Sequence, residues 1–295
     1  MNANFAKTGK NKVIAVVGPT ASGKTAFAIE LAKKIDGEIV SADSRLVYKG
    51  LDIGTAKPSI EEREGIPHYM IDIVEPEIEY SAGLYVDASR KCIYDILSRG
   101  KTPIIAGGTG LYFRILLEAY SLPQAAPDYE LRSELRELDC DTLHSMLYEL
   151  DREACEKIYA NDKKKLIRYI EIIKTTGKKI SEACGVSEPE FDVEWLGCNF
   201  PRDILYDRIN NRVDMMIENG LIEETKRLLQ KHGRINNLLY TIGYQEIISY
   251  LDGGSTLDDA VTLLKQNTRR YAKRQLTWFR KNENIKWNHY PERLS

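Results

Sequence analysis

Apolar positions along the chain switch between two periods. Val13-Ile-Ala-Val-Val17 is a short β-branched run that stops at Gly18, the pattern of a strand buried on both faces. Thr25 to Ile35 then puts Phe27, Leu31 and Ile35 on one helical face. Ile39-Val40 opens a second short strand that ends near Asp43. Tyr85 to Leu97 returns to helical spacing through Val86, Ile93 and Leu97, and Gly100 stops it. Pro103-Ile-Ile-Ala106 is a third buried strand, closed by Gly107-Gly108. Strand and helix alternate, so the pattern predicts an α/β fold, a parallel sheet with helices on both faces.

The pattern changes after Pro123. From Asp128 to about Glu182 the chain is highly charged, helical in spacing and free of strand-like runs. Asn161 or Asp162 can cap a helix that reaches Thr175, with Gly177 to end it. Trp195 to Phe200 reads as a return to the sheet. Helices resume near Arg202, pause at Gly220 and continue to about Lys231. A last helix is predicted from about Leu257 to Arg280, with Thr256 as N-cap. The expected organisation is a core in two parts, residues 1–123 and 194–295, interrupted by an inserted helical domain at 124–193.

Composition narrows the class. The 295 residues are 43% apolar, enough for a full core, and the net charge of −2 gives no overall field for nucleic acid. Cys92, Cys140, Cys155, Cys184 and Cys198 form no Cys-x-x-Cys pair and no zinc spacing, as expected of idle thiols in a reducing compartment. Met1 to Lys12 is polar, without the apolar core of a signal, and no apolar run approaches the ~20 residues of a membrane span. The expectation is a soluble, cytoplasmic monomer.

Gly18-Pro-Thr-Ala-Ser-Gly23-Lys24-Thr25 fits Gly-x4-Gly-Lys-Ser/Thr between a predicted strand and a predicted helix, the context that a phosphate loop requires. The glycines let backbone N–H groups turn inward around phosphate oxygens, Lys24 adds a positive charge, and Thr25 can ligate Mg²⁺. The fold class is therefore a P-loop NTPase-like parallel sheet. The loop implies a bound di- or triphosphate; hydrolysis, transfer and loss as a leaving group all remain open. Asp43-Ser44 and Gly107-Gly-Thr-Gly110 follow strands at the same carboxyl edge, where ligands bind open α/β sheets. Asp43 is a general base, a Mg²⁺ ligand or a helix cap. The glycines allow close backbone approach to a ligand or simply a tight turn. Arg208 and Arg212 share a helical face and either clamp phosphate or face solvent.

Between Ala260 and Asn282 there is no acidic residue and there are seven cations: Lys265, Arg269, Arg270, Lys273, Arg274, Arg280 and Lys281. Val261, Leu264, Leu276 and Phe279 can pack on the core, leaving a basic ridge with Tyr271 and Trp278 interleaved. Such a ridge suits phosphate backbone and stacked bases. Lys163, Lys164, Lys165 and Arg168 form a second cluster in the insert.

These segments, with Asp43-Ser-Arg-Leu-Val-Tyr48, Asp52-Ile-Gly-Thr-Ala-Lys-Pro58, Pro67-His-Tyr-Met-Ile-Asp72, Gly107-Gly-Thr-Gly-Leu-Tyr112, Ile242-Gly-Tyr244 and Ala272-Lys-Arg-Gln-Leu-Thr-Trp-Phe-Arg280, resemble the bacterial tRNA dimethylallyltransferase (tRNA isopentenyltransferase) family. The resemblance runs from about Val13 to Arg280. It implies transfer of the dimethylallyl group of dimethylallyl diphosphate to N6 of the adenosine 3′-adjacent to the anticodon, with Mg²⁺ as cofactor. It implies Asp43 as general base, Thr109 at the reacting centre, and Lys24 with Gly18, Thr20–Thr25, Arg208 and Arg212 on the diphosphate. It implies tRNA contacts from Asp43, Ser44, Arg45, Leu46, Thr109, Arg132, Lys164, Lys165, Arg168, Gly243, Tyr244, Lys273, Arg274, Gln275, Trp278 and Arg280. Leu46 stands where many members have Gln, and Lys164-Lys165 where Arg is common. Three rivals share the phosphate loop: a P-loop kinase, a relative that prenylates free adenine nucleotides, and a non-catalytic RNA-binding protein.

Overall fold

The computed structural model describes residues 11–121, 123, 125–183, 185–186 and 188–289. Residues 1–10 and Cys184, singled out above, lie outside them; Cys92, Cys140, Cys155 and Cys198 are free thiols. In chain order, the first segment holds β1 (Lys12–Val17), α1 (Lys24–Ile35), β2 (Gly37–Ala42), β3 (His68–Tyr69), α2 (Ala82–Ser98), β4 (Thr102–Gly107) and α3 (Gly110–Leu117). The middle holds β5 (Tyr120–Ser121), α4 (Tyr129–Glu137), α5 (Cys140–Leu150), α6 (Arg152–Cys155), α7 (Lys163–Thr176), α8 (Ile180–Ala183) and β6 (Gly185–Val186). Then come β7 (Asp192–Asn199), α9 (Arg202–Glu218), α10 (Leu221–His232), α11 (Asn236–Leu239), α12 (Tyr244–Leu251), α13 (Leu257–Phe279) and β8 (Lys286–His289).

Six strands form one sheet in the order β3-β2-β4-β1-β7-β8, every pair parallel. Alternation along β1 decides which helix covers which face. Ile14 and Val16 pack with Ala28, Ile29 and Ala32 of α1. Trp195 is in register with Ala15 and so points the other way, where it meets Phe113 of α3, which in turn contacts Phe279 of α13. The strands expected from apolar runs are all present. β3 and β8 were not expected: two residues, or a polar edge such as Lys286-Trp-Asn-His, carry no readable period. The buried helix α3 is apolar almost throughout and escaped the same way, because a helix with no polar face shows no helical period.

The chain forms two compact units, one joining residues up to Leu117 with those from Glu190 onward, the other spanning Glu118–Pro189. In the second, Asp128, Asp139, Asp151 and Asp162 each accept a backbone N–H as N-caps of α4, α5, α6 and α7. Gly177 ends α7 at φ 68°. Leu143, Leu147, Leu166 and Ile170 make its core. Between Asp128 and Glu182 the described elements are helices, as expected; outside that stretch the two-residue strands β5 and β6 pair antiparallel, Tyr120 opposite Val186.

At the amino-terminal end of the sheet, Glu38 of β2 is buried and bound by Arg99 at 2.6 and 2.7 Å, by Tyr69 Oη at 2.8 Å and by Lys101 at 3.2 Å. The Arg99 hydrogen bonds outweigh burial and lower its carboxyl from the ordinary 4.5 to about 2. A depressed acid stabilises the fold above its unfolded value, and that contribution disappears as pH falls from about 4.5 toward 2. Glu38→Gln is expected to cost about 2–3 kcal/mol at pH 7. Calorimetric melting of wild type and variant should show a Tm gap that closes toward pH 2; a gap constant from pH 6 to 2 refutes the ionic account.

Candidate active site

Three adjacent strands deliver the site. β2, β4 and β1 end in register, with Gly107 opposite both Ala42 and Val17, so Asp43, the Gly108–Gly110 turn and the phosphate loop leave the sheet side by side. The loop turns through positive φ at Ala21 (62°) and Gly23 (76°) before α1 begins at Lys24. Lys24 Nζ donates to Pro19 O at 3.2 Å. Burial lowers the Lys24 pKa to about 8, with Asp43 opposing the shift and Arg212 adding to it. The Ser22 hydroxyl is buried and has no hydrogen-bond partner among the described residues.

Arg208 and Arg212 come to the loop from α9. Arg208 Nε donates to Ala21 O at 2.9 Å and its guanidinium lies 4.6 Å over the Phe200 ring. Arg212 Nη1 donates to Thr20 Oγ1 at 2.9 Å. Burial, then Arg208, lowers the pKa of Arg212. Two guanidiniums and an ammonium thus converge on one loop and destabilise one another, an arrangement suited to an anion.

Asp43 is half-buried. Its Oδ1 accepts Arg45 N–H at 2.9 Å and closes a turn; no helix begins at 44–47, so the helix-cap reading of Asp43 is corrected to a turn. Oδ2 has no protein hydrogen bond among the described residues. Thr109 is fixed by three contacts: its N–H donates to Ala42 O at 3.1 Å, its Oγ1 accepts from Ser44 N at 3.0 Å, and it lies 3.4 Å from Ser44 Oγ. Tyr271 of α13 lies beside Asp43 and Thr109; burial first, then Asp43, raises its phenol above the ordinary range. The placement of Tyr271 on the outer basic ridge is therefore corrected: it faces Asp43 and Thr109.

Each glycine of the turn is closely packed against protein. A Cβ on Gly107 would lie 2.2 Å from Ala42 O, on Gly108 2.1 Å from the Gln275 amide nitrogen, and on Gly110 2.1 Å from the Trp278 ring. Gln275 is buried, its Oε1 accepting from Thr20 N at 2.8 Å and its Nε2 donating to Gly108 O at 2.9 Å.

Other residues expected at an RNA surface divide into two groups. Lys273, Arg274 and Arg280 are exposed, Arg274 5.8 Å over the Tyr271 ring, and Trp278 is 39% exposed. Lys164 and Lys165 are exposed at the first turn of α7, where the helix dipole disfavours cations. Gly243 and Tyr244 are buried instead: Tyr244 Oη donates to buried Glu224 at 2.7 Å, and Glu224 also accepts from Ile53 N and Gly54 N. Arg132 and Arg168 both pair with fully buried Glu171, at 2.8 and 2.5 Å. Arg45 reaches Asn237 at 3.1 Å, and Leu46 is half-buried, its carbonyl taking Asp72 N–H. The Asp52–Pro58 and Pro67–Asp72 segments meet through Lys57, which pairs with Asp52 and Asp72. Among the described residues, no cluster of three or more His, Cys, Asp or Glu could hold a metal on its own, and no helix is long and apolar enough to cross a membrane.

Sequence reasoning did not single out Gln275 as a link between loops, Tyr271 as a neighbour of Thr109, or Glu171 and Glu224 as buried anchors. Only the i, i+4, i+7 spacing of Tyr271, Gln275 and Trp278 signalled a shared face.

Comparison with known proteins bears on this geometry. The model of the family described as IPP transferase matches residues 46–282, and that described as Isopentenyl transferase matches residues 11–77. The chain is 48% identical over 283 residues to a tRNA dimethylallyltransferase of Carboxydothermus hydrogenoformans, covering 94% of this chain and 91% of the relative. Among solved structures, it is similar to the full-length tRNA isopentenylpyrophosphate transferase of Bacillus halodurans, at 42% identity and TM-score 0.72, covering 95% and 90% of the two chains. It is also similar to a eukaryotic dimethylallyltransferase described as acting on tRNA, at 32% identity and TM-score 0.80, over 91% of this chain and 70% of that one.

Proposed function

The chain belongs to the IPP transferase family of tRNA dimethylallyltransferases, and from that premise we propose how its own residues carry out the transfer. It is a prenyltransferase that moves a dimethylallyl group to tRNA. In our reading the donor is dimethylallyl diphosphate and the acceptor is the exocyclic N6 of the adenosine 3′-adjacent to the anticodon. The observation that carries the reading is the junction of a cationic phosphate loop with a half-free carboxylate, Asp43, at one sheet edge.

The adenine amine is a weak nucleophile because its lone pair is conjugated into the ring. The donor carbon is allylic and tolerates positive charge as diphosphate leaves. Lys24, Arg208, Arg212 and the loop N–H groups neutralise the charge that grows on the departing diphosphate. Asp43 Oδ2 takes the proton released from nitrogen as the C–N bond forms. Thr109, anchored on Ser44, holds the acceptor beside that oxygen. A loop base is unpaired, so extruding it costs less than opening a duplex.

The donor set also fits Mg²⁺. That ion is commonly held by one or two protein oxygens plus substrate phosphates, not by a full protein cage. Thr25 Oγ1, exposed at the first turn of α1, and the diphosphate oxygens would hold it. When bound it supplies further charge neutralisation on the leaving group.

The exposed Lys164, Lys165, Lys273, Arg274, Trp278 and Arg280 are assigned to tRNA. Residues Ser44–Leu46 and the buried Gly243-Tyr244 shape the acceptor side, and Arg132 and Arg168 hold the insert through Glu171. Neutralising Lys273 and Arg274 together should raise KM for tRNA and leave KM for the donor unchanged. It should also flatten the salt dependence by roughly 0.7–0.9 in log–log slope per lost phosphate contact. The assay compares transfer to tRNA and to AMP across a salt series. Efficient prenylation of AMP, indifferent to salt and to the double substitution, would show an enzyme of free nucleotides.

A further inference from the structure

Three side chains of α13 lie one per residue on the turn that carries Thr109. Tyr271 lies beside Thr109, Gln275 Nε2 donates to Gly108 O at 2.9 Å, and the Trp278 ring fills the space a Cβ on Gly110 would need. Their spacing is i, i+4, i+7, a single helical face. Gln275 has a second attachment. Its Oε1 accepts the N–H of Thr20 at 2.8 Å, inside the phosphate loop, and the residue is only 5% exposed. Thr20 in turn receives Arg212 through its hydroxyl. One amide therefore joins a main-chain donor of the diphosphate loop to a main-chain acceptor of the Thr109 turn. The chemistry is demanding: it takes one donor and one acceptor, uncharged, at the spacing of a carboxamide. A carboxylate offers no donor to Gly108 O, and an apolar side chain leaves one buried and one half-buried backbone group unpaired.

We propose that Gln275 is a positioning residue that locks the donor loop to the Thr109 turn, and that it does not contact RNA. The proposal rests on the transferase reading above. Under it, the helix that presents Lys273, Arg274 and Arg280 outward sets the distance between leaving group and acceptor inward. Loosening the lock misplaces donor against acceptor while the RNA surface stays intact.

The test uses the full chain with Gln275→Met and Gln275→Glu, read four ways: kcat and donor KM for transfer, tRNA affinity by filter binding, inorganic diphosphate affinity by calorimetry, and Tm. The expected result is a fall in kcat of roughly 10–100-fold, as for a displacement of about 1 Å in reacting groups. Diphosphate binding should weaken in both variants, more in Gln275→Glu, whose added negative charge sits beside the loop. tRNA affinity should stay within about twofold of wild type. A tenfold loss of tRNA affinity with kcat preserved would make Gln275 an RNA contact and overturn the proposal. A lowered Tm with unchanged kcat and diphosphate affinity would reduce it to packing, and equally overturn it. Wild-type protein run in parallel tests the transferase reading by itself. Should wild type transfer nothing, that reading fails, while diphosphate affinity still decides the role of Gln275.

Discussion

Asp43→Asn is expected to lower kcat for transfer to tRNA by roughly 10²–10⁴, the range associated with losing a general base. The substitution is discriminating because of how Asp43 is held. Its Oδ1 accepts Arg45 N–H at 2.9 Å in a turn, and the carbonyl oxygen of asparagine can accept the same bond. Local structure is thereby kept while proton acceptance at the other atom is lost. tRNA affinity and Tm should remain near wild type. A fall of less than about tenfold in single-turnover transfer would leave Asp43 as a turn former and move the base elsewhere.

Lys24→Ala should cost roughly 10²–10³ in kcat, comparable to removal of one preorganised electrostatic donor. Its pH signature separates charge from shape. In the free protein burial brings Lys24 to about pKa 8, Arg212 contributing in the same direction and Asp43 against it. On the proposed reading the protonated form binds the diphosphate, so kcat/KM for the donor should hold below about pH 8 and fall above it, since that ratio reports groups of the free enzyme. In Lys24→Ala this limb should vanish. A wild-type profile flat through pH 9.5 would contradict the assignment.

Much of this arrangement was legible in the residues. Strands β1, β2 and β4 appear as apolar runs because both of their faces are covered, and each ends in a glycine or an acid where the site begins. Asp162, Gly177 and Thr256 marked helix ends through local chemistry that does not depend on the remainder of the fold. What was not legible depends on long-range partners. Gly107, Gly108 and Gly110 read equally well as a ligand cradle; only Ala42, Gln275 and Trp278 show what lies against them. Tyr271 was placed outward because it sits among cations, whereas its helical phase turns it toward Thr109. Glu171 and Glu224 looked like members of charged surface helices, yet each is buried by backbone N–H groups and side chains drawn from distant segments.

The pairing of β1 has a bearing on the order in which the protein is made. β1 lies between β4 and β7, and Ile14 faces Glu194 across the sheet. The phosphate-loop motif leaves the ribosome early, but Gly18 packs against Cys198 O, and its cationic wall, Arg208 and Arg212, is translated later still. Throughout synthesis of the intervening segment β1 lacks its second neighbour, an open apolar edge of the kind that invites wrong pairing. Closing such a long loop entails a non-local, entropically costly step. A nascent chain that already carries Gly18–Thr25, Asp43 and Thr109 therefore holds the proposed reactive groups without the floor that shapes them, and on that reading competence for chemistry arrives only with the carboxyl-terminal third.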